Sequence, residues 1–304
     1  MRRSASVLAA YSECAHLAWL DRRAALGLEP RPAAPDAAAE LLFARGQEHE
    51  RRYLEALRAT GAEIVAIENS YREPEAAAAA TRTAMRAGAP IVYQGVVLDD
   101  GWWGIPDFLE RVDRPSSLGA WSYEVVDAKL ARRSKPAFLL QLGLYSALLA
   151  AAQGAEPERL HIVLGTRERE SFRVADFAAY FRRLRGRALA ATSVDDEPCY
   201  PAPVEFCAVC AWSARCEDRR ERDDHLSRVA GIRGLQVRRL AAAGIDTLAA
   251  LAALPEATRV PRLAPATLAT LRRQARLQQA QITTGTPSSS AAVAPNRYSS
   301  PPST

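Results

Sequence analysis

The stretch that decides the fold is WSYEVVDAKLARRSKPAFLLQLGLYSALLAAAQ, residues 121–153. Its first part, Trp121–Leu130, is rich in aromatic and β-branched residues and predicts a β-strand. Its last part, Pro136–Gln153, is a long apolar run that opens with proline and predicts an α-helix. Because this run contains Gln141 and Tyr145, it falls short of a bilayer span, and we expect a helix buried inside a globular domain.

The segments on either side of this stretch predict further helices and strands. The turn Asp99-Asp100-Gly101 is expected to join two strands into a hairpin. We therefore expect an α/β domain with a mixed sheet flanked by helices, ending near residue 200. The predicted helices are Ser6–Leu26, Ala37–Thr60, Pro74–Ala87 and Asp176–Ala190, and the predicted strands are Ile91–Leu98, Trp102–Val112, Leu160–Leu164 and, with a weaker pattern, Phe172–Val174.

The last third of the chain is organised differently. A cysteine-bearing loop, Pro198–Cys216, precedes a helical region from Arg219 to about Gln281. The final stretch, from Thr283 onward, is rich in Ser, Thr and Pro, contains no acidic residue and is expected to be disordered. The predicted boundaries are a first domain at 1–217, a small all-α region at 218–282 and a tail at 283–304.

The composition is that of a globular protein of about two domains. The chain has 304 residues, of which 48% are hydrophobic and 25% are charged, and these values exclude collagen-like and wholly disordered classes. Its five cysteines are too few for a secreted disulfide scaffold. Glu13 and His16 interrupt the N-terminal apolar stretch, so we expect no export signal or membrane anchor and a cytoplasmic location.

Basic residues are unevenly distributed along the chain. Residues 205–280 carry 13 arginines against 8 acidic residues, whereas residues 1–204 are nearly balanced. A local positive excess favours a polyanionic partner, although solvated helix faces give the same count. Only Lys129 and Lys135 among the 40 basic residues are lysines. These two positions are therefore candidates for chemistry that needs an amine instead of a guanidinium.

Alternation along the predicted strand 121–130 places Asp127 and Lys129 on one face, about 7 Å apart, and Glu124 on the other. Asp107 in the preceding hairpin would supply a second carboxylate. Two carboxylates, a backbone carbonyl and water form a hard oxygen site suited to Mg²⁺ or Mn²⁺, and the neighbouring ammonium would orient or activate a water molecule. An ordinary ion pair at a strand edge is the alternative interpretation of Asp127 and Lys129.

Four short motifs, in this order, resemble those of the RecB-like nucleases of the PD-(D/E)XK superfamily. They are GQEHE at 46–50, GIPD at 104–107, DAK at 127–129 and QLGLY at 141–145. The resemblance covers about residues 5–217. It implies a restriction-endonuclease-like fold and metal-dependent hydrolysis of DNA phosphodiester bonds that leaves a 5′-phosphate.

Matched position by position, the resemblance assigns a role to each motif residue. Lys129 would position or activate the attacking water, and Gln141 and Tyr145, one helical turn apart, would face the site and contact DNA. Taken singly, His49 also fits a surface position on a helix, and Gln141 and Tyr145 fit the polar edge of a packed helix. The metal ligands that the resemblance implies are His49, Asp107, Asp127 and the backbone carbonyl of Ala128.

Three cysteines with the spacing C-x2-C-x5-C lie in residues 207–216, with no histidine at zinc-finger spacing. A fourth ligand must come from elsewhere. Iron–sulfur members of the RecB-like group place one cysteine before the nuclease core and three after it, so the resemblance implies a structural [4Fe-4S] cluster that includes Cys14. The alternative is tetrahedral zinc with His16 or His225 in place of a thiolate, and Cys199 is left over. The implied cluster ligands are Cys14, Cys207, Cys210 and Cys216.

Residues 229–248 predict two short helices joined at Gly244. They resemble a helix-hairpin-helix module, in which backbone N–H groups near a helix start bind phosphate without reading sequence. A second, weaker helical pair is predicted in Thr258–Gln281, and a helical hairpin that merely packs on the first domain is the alternative. The expected DNA-binding residues are Arg233, Gly234, Arg238, Arg239 and Gly244.

Together these features predict a Mg²⁺- or Mn²⁺-dependent exonuclease that acts on single-stranded DNA or free DNA ends in repair or processing. Two rival hypotheses are a non-catalytic DNA-binding or assembly subunit with a vestigial site and a zinc-stapled protein-interaction module. The motif combination also resembles nucleases that continue into an RNase H-like domain, sometimes with a helicase. We therefore expect such partners, no membrane partner, and a short or truncated member of that group.

Overall fold

The computed structural model describes residues 2–32, 37–68, 70–193 and 197–284. The chain divides after Tyr200 into two compact units. The first unit contains the sheets and the second is helical. Of the predicted tail, Thr283 and Thr284 end the last helix, and the rest lies outside the described residues.

The first unit is built from helices on both faces of a sheet. Its helices are α1 Ala5–Glu13, α2 Ala15–Ala25, α3 Ala37–Ala59, α4 Pro74–Arg86, α5 Pro136–Gln153 and α6 Val174–Ala191. Its strands are β1 Ile64–Ala66, β2 Ile91–Tyr93, β3 Val97–Asp99, β4 Trp102–Gly104, β5 Phe108–Val112, β6 Ser122–Lys129, β7 Arg159–Leu164 and β8 Arg169–Arg173.

The main sheet has six strands in the order β1-β2-β5-β6-β7-β8, and β3 and β4 form a separate hairpin. The pairs β1–β2 and β6–β7 are parallel, and the other pairs in the main sheet are antiparallel. Helix α5 is the crossover between the parallel strands β6 and β7. This mixed sheet flanked by helices confirms the predicted fold class.

The strand β6 lies in the middle of the core, and its side chains alternate between two hydrophobic clusters. Tyr123 and Val125 face the larger cluster, which includes α5, whereas Val126 faces a smaller cluster with Leu54 of α3. Its first six residues are buried. Both faces of the strand are covered, as is usual for a central strand of a sheet flanked by helices.

By length and composition alone helix α5 could cross a membrane, so the prediction that this run falls short of a bilayer span was wrong. Its residues Leu142, Leu144, Leu148 and Leu149 are fully buried in the larger cluster, in contact with side chains from the sheet and the other helices. A helix that is apolar on most sides is expected at the centre of a domain. The structure thus agrees with the predicted buried helix.

Two predicted elements are wrong in detail. The single helix predicted over Ser6–Leu26 is interrupted at Cys14, whose extended φ of −162° and ψ of 124° cannot lie inside a helix. The single predicted hairpin is also divided, because Gln94 has a positive φ of 51° and Pro106 has no N–H to continue strand pairing. As a result β2 and β5 belong to the main sheet, while β3 and β4 pair separately.

The second unit packs short helices around a core of leucines. Leu226, Leu240, Leu248 and Leu251 are fully buried there. Its elements are a 3-10 helix Glu205–Val209, α7 Ser213–Arg222, a 3-10 helix Leu226–Arg228, α8 Gly234–Ala241, α9 Leu248–Ala253 and α10 Pro265–Thr284.

A chain of polar side chains crosses β6, β7 and β8 on the α3 side of the sheet. His161 Nε2 lies 2.9 Å from Glu124 Oε2, and His161 Nδ1 lies 2.7 Å from Ser171 Oγ. The other oxygen of Glu124 accepts the backbone N–H of Arg159 at 2.9 Å. Burial alone would raise the pKa of Glu124, but these hydrogen bonds to the carboxylate outweigh it, so the pKa is lowered.

We expect Glu124→Gln to lower the free energy of unfolding by about 1–3 kcal/mol at pH 7, because it removes a buried charge-assisted hydrogen bond. Since the folded pKa lies below the unfolded one of about 4.3, this stabilisation is present above that pH and is lost as the pH falls further. Urea unfolding of both proteins at pH 7 and about pH 3 measures the change. A difference between the two proteins that stays constant at both pH values contradicts the prediction.

Candidate active site

The antiparallel pairing of β5 with β6 brings Asp107 and Asp127 together. Phe108, which follows Asp107, pairs with Val126, and Asp107 Oδ2 accepts the backbone N–H of Ala128 at 2.7 Å. The backbone carbonyl of Asp107 accepts the N–H of Gln94 at 2.8 Å. These bonds fix the Asp107 carboxylate beside the end of β6.

The carboxylate of Asp127 is 1% exposed. Its Oδ2 forms an ion pair with the Nζ of Lys129, whereas Oδ1 has no hydrogen-bond partner among the described residues. A buried carboxylate oxygen without such a partner is costly in a folded protein. A cation bound at Oδ1 would remove that cost.

The Lys129 side chain is held between Asp127 and a ring of α5. Its Nζ lies 5.6 Å from the centre of the Phe138 ring, and the side chain is 20% exposed. Burial opposes the charge of this ammonium, but Asp127, Asp107 and Glu50 outweigh it and raise the pKa of Lys129. Lys129 is therefore a positive charge at neutral pH, suited to orienting water and anionic oxygen instead of removing a proton.

The carboxyl group of Asp107 is held in an unfavourable environment for its negative charge. Burial, then Asp127, then Glu50 raise its pKa well above the usual range, against the opposing effects of Lys129 and the Ala128 N–H. Clusters of carboxylates with raised pKa values are typical of functional sites. Holding these like charges close together therefore lowers the free energy of unfolding.

Glu50 on α3 is a site residue that the sequence interpretation missed. It accepts a hydrogen bond from Gln94 Nε2 at 2.9 Å, and its charge acts on Asp107 and Lys129. Helical spacing offered a signal, because position 50 lies one turn before the buried Leu54 and shares its face.

The structure places His49 on the same helix but with one ring nitrogen engaged. Its Nε2 lies 3.1 Å from the backbone carbonyl of Val163, and Val163 pairs with Ala128 across β6 and β7. The ring N–H therefore belongs to Nε2, which leaves Nδ1 as the nitrogen able to act as a ligand.

Gln141 and Tyr145 of α5 lie together, as predicted from their spacing. Gln141 Nε2 donates to the Tyr145 hydroxyl at 2.9 Å. Burial and then the charge of Asp127 raise the pKa of Tyr145, which places this hydroxyl in the field of the carboxylates. The Tyr145 ring also packs on Gly104, where an added Cβ would lie 2.3 Å from ring carbons. The glycine of the GIPD motif is thus required by close packing.

The side chains at this site fit a divalent cation that keeps water in part of its coordination shell. They do not surround the cation with protein ligands. Among the residues that the structure describes, no three His, Cys, Asp or Glu side chains converge closely enough to hold a metal ion. Asp107, Asp127 and the Ala128 carbonyl are hard oxygen donors, and Mg²⁺ is commonly held by one or two carboxylates with water in its other positions. The partnerless Oδ1 of Asp127 is the observation that supports this fit.

The cysteines are distributed over both units. Cys14 lies at the junction of α1 and α2. The pKa of the Cys199 thiol in the same unit is raised, first by burial and then by the charges of Cys14 and Glu197. Cys199, which the sequence interpretation left over, is therefore a neighbour of Cys14. In the second unit, Cys207 Sγ accepts the N–H of Val204 at 3.4 Å.

The helices predicted around Gly244 are present as α8 and α9, and Gly244 has a positive φ of 77°. The first amides of α9 already have acceptors, because Asp224 accepts from Leu248 and Ala249 and Thr247 accepts from Ala250. At the start of α8 the Arg233 N–H donates to Gln236 Oε1 at 2.7 Å, so a phosphate there would bind at the amides of Gly234 and Leu235. There Arg233, Gly234 and Arg238 are exposed, whereas Arg239 donates to the Arg262 carbonyl.

Comparison with known proteins gives one informative match. A family model described as the PD-(D/E)XK nuclease superfamily matches residues 2–217. No curated protein matches the chain. The solved structure of SSO0001 is 14% identical and covers 68% of this chain and 96% of its own, with a TM-score of 0.26, which is too low to bear on fold or function.

We expect Asp107→Asn to raise the free energy of unfolding in EDTA at pH 7, because the amide carries no charge in this environment. The raised pKa means that the ionised carboxyl costs folding free energy once the pH exceeds the unfolded value of about 3.9. The amide keeps an oxygen for the Ala128 N–H. Thermal melting in EDTA tests this.

The matched control is Glu110→Gln on β5, the strand that follows Asp107. Glu110 is paired with Arg169 at 2.8 Å and accepts from the Tyr53 hydroxyl at 3.2 Å, so neutralising it gives no increase in stability. A lower melting temperature for Asp107→Asn than for the wild type would contradict the electrostatic interpretation.

Proposed function

The chain belongs to the PD-(D/E)XK nuclease superfamily, and from this we propose that it is a RecB-like, Mg²⁺- or Mn²⁺-dependent exonuclease that hydrolyses DNA in repair or processing. The observation that carries the proposal is the buried Asp127 carboxylate, with one oxygen paired to Lys129 and the other without a hydrogen-bond partner among the described residues. A vestigial site under no demand for metal would be expected to relieve that cost.

In this proposal Asp107, Asp127 and the Ala128 carbonyl hold the cation, with His49 as a further ligand through its Nδ1. A bound divalent cation would act as a Lewis acid on the phosphate and lower the pKa of a water molecule. The first two residues are already fixed by β5–β6 pairing, so little reorganisation is needed.

Lys129 orients the water that attacks phosphorus and offsets negative charge on the phosphate oxygens. Attack breaks the bond to the 3′-oxygen and leaves the 5′-phosphate on the product. Gln141 and the Tyr145 hydroxyl contact the DNA strand, and Glu50 acts as a positioning residue that holds Gln94 by a hydrogen bond and adds negative charge near Lys129. The hydrogen bond between Gln141 and Tyr145 supports a joint role for these two side chains.

The cysteines are proposed to hold a structural [4Fe-4S] cluster, with zinc as the alternative and His16 or His225 in place of one thiolate. Soft thiolates favour either group over Mg²⁺. The proximity of Cys199 to Cys14 makes Cys199 a competing ligand in the first unit. The proposed set remains Cys14, Cys207, Cys210 and Cys216.

We propose that α8 and α9 form a helix-hairpin-helix module and that the start of α8 binds the phosphate backbone of DNA. The exposed positions of Arg233, Gly234 and Arg238 support it. Arg239 and Gly244 complete the proposed DNA-binding residues. The partners proposed are single-stranded DNA or free DNA ends and a helicase or further nuclease domain, and the proposed location is the cytoplasm.

We expect Asp127→Ala and Lys129→Met to lower Mn²⁺-dependent cleavage of end-labelled DNA by at least about a hundredfold, because each removes a group that contacts the reacting atoms. The matched control is Lys135→Met, which removes the other lysine and leaves cleavage within about threefold. Products are resolved by length to distinguish exonuclease from endonuclease activity.

Two results would overturn this proposal. Cleavage that is undiminished in both site variants would show that the carboxylates do not act in the reaction. Salt-sensitive DNA binding without any metal-dependent cleavage would favour the non-catalytic subunit.

We expect anaerobically purified protein to show broad visible absorbance from the cluster and to lose it in Cys210→Ala. Because the ligand set excludes Cys199, Cys199→Ser retains the absorbance, and Cys14→Ser loses it. Colourless protein that contains zinc in equal amount by elemental analysis contradicts the iron–sulfur proposal, and loss of colour in Cys199→Ser instead of Cys14→Ser contradicts the ligand set.

A further inference from the structure

A cavity of about 370 Å³ lies in the first unit, within the size range of small-molecule sites. Its polar lining includes Gln141 and Tyr145, which the proposed function assigns to DNA contact. Two other aromatic side chains line it, and the sequence interpretation gave them no role. We call this cavity the aromatic pocket. It is lined by Ser4, Ala5, Ser6, Ala9, Tyr71, Trp103, Gly104, Ile105, Gln141 and Tyr145.

Tyr71 and Trp103 form the aromatic walls. Their rings are 6.2 Å apart between centres and meet edge to face at 85°. Tyr71 is 75% exposed, so its ring contributes little to the core and presents most of its surface to a ligand. Trp103 is partly buried against the larger hydrophobic cluster, which fixes the second wall on the rigid β3–β4 hairpin.

The rest of the lining leaves room for a flat ring and offers polar groups at its edge. Ser4, Ala5, Ser6 and Ala9 have small side chains, and the Ser4 and Ser6 hydroxyls lie 2.7 Å apart. Gln141 uses its Nε2 on Tyr145, so its Oε1 is able to accept from a ligand. Stacking surfaces with a few polar atoms at the edge are the usual means of holding a base.

The pocket adjoins the proposed catalytic groups. Tyr145 and Gln141 line it, and the charges of Asp107, Glu50 and Asp127, after burial, raise the pKa of the Tyr71 hydroxyl. A group in the pocket therefore lies close to the carboxylates. On a nucleic acid strand, the group next to the phosphate being cleaved is a nucleoside.

We propose that the aromatic pocket takes one unpaired base of the substrate strand, stacked on the Tyr71 ring and meeting the Trp103 ring edge to face, next to the phosphate at Asp107 and Asp127. This inference rests on the proposed nuclease function and adds a binding site for one base of its substrate. A paired base inside a duplex cannot reach such a pocket without flipping out. The substrate is therefore a single strand or a frayed end.

The test compares binding of two oligonucleotides of equal length and charge in EDTA, where no cleavage occurs. One is oligothymidylate of about 12 nucleotides, within the site sizes of single-strand binding proteins. The other has abasic residues throughout, so it keeps the phosphates and lacks the bases. Affinities of the full chain are measured by fluorescence anisotropy at one salt concentration, because phosphate contacts depend on salt.

We expect Tyr71→Ala to weaken oligothymidylate binding about tenfold, the usual effect of losing one stacked base, and to change binding of the abasic strand less than twofold. Tyr71→Phe keeps the ring and retains wild-type affinity. Ser6→Phe fills the pocket and weakens oligothymidylate binding in the same way. The matched control is Tyr180→Ala, which removes another exposed tyrosine, 61% exposed on α6, and changes neither affinity.

Equal losses for both strands in Tyr71→Ala, or no loss for either, would overturn the proposal, because the ring would then contact no base. A Mn²⁺ cleavage assay on the wild type tests the nuclease function separately from the base-binding pocket. Cleavage without a base-dependent loss in Tyr71→Ala rejects the pocket and leaves the nuclease function standing. A base-dependent loss without cleavage supports the pocket and rejects the nuclease function.

Discussion

The ion pair between Lys129 and Asp127 is the interaction on which the rest of the site depends. Three carboxylates act on the Lys129 ammonium, those of Glu50, Asp107 and Asp127. The site therefore holds more negative than positive charge. Removing one partner from such a buried set leaves a charge without compensation, which is expensive. The raised pKa of Asp107 means that protonation relieves part of this excess, and a bound cation would relieve it in the same way.

The fold builds this charge set from three directions. The β5–β6 pairing fixes Asp107 against the amide of Ala128, helix α3 brings Glu50 to Gln94, and helix α5 places Phe138 over Lys129. The strand β6 carries a buried acidic residue on each of its faces. On one face Glu124 forms a fully hydrogen-bonded pair with His161, whereas Asp127 on the other face keeps an oxygen without a hydrogen-bond partner among the described residues. Two acids on one strand thus differ in role because their partners differ.

Sequence patterns predicted the parts of the structure that local periodicity controls. The bounds of β6 and α5 and the shared face of Asp127 and Lys129 follow from period-two and helical spacing. Glu50 and Tyr71 were missed for another reason. The approach of Glu50 to Asp107 depends on how α3 meets the strand that carries Gln94, and Tyr71 lies in a turn, where no periodic signal exists. The break at Cys14 likewise depends on one residue's conformation.

The scarcity of lysine now has a physical meaning at one of its two positions. A guanidinium carries five donors in a rigid plane and needs acceptors for each of them. Between Asp127 and the Phe138 ring there is a carboxylate oxygen on one side and a π face on the other, and this space suits a compact ammonium with rotating donors. An arginine at position 129 would either leave buried N–H groups unsatisfied or displace Phe138. Lysine at this position is thus required by the shape of the site as well as by its charge.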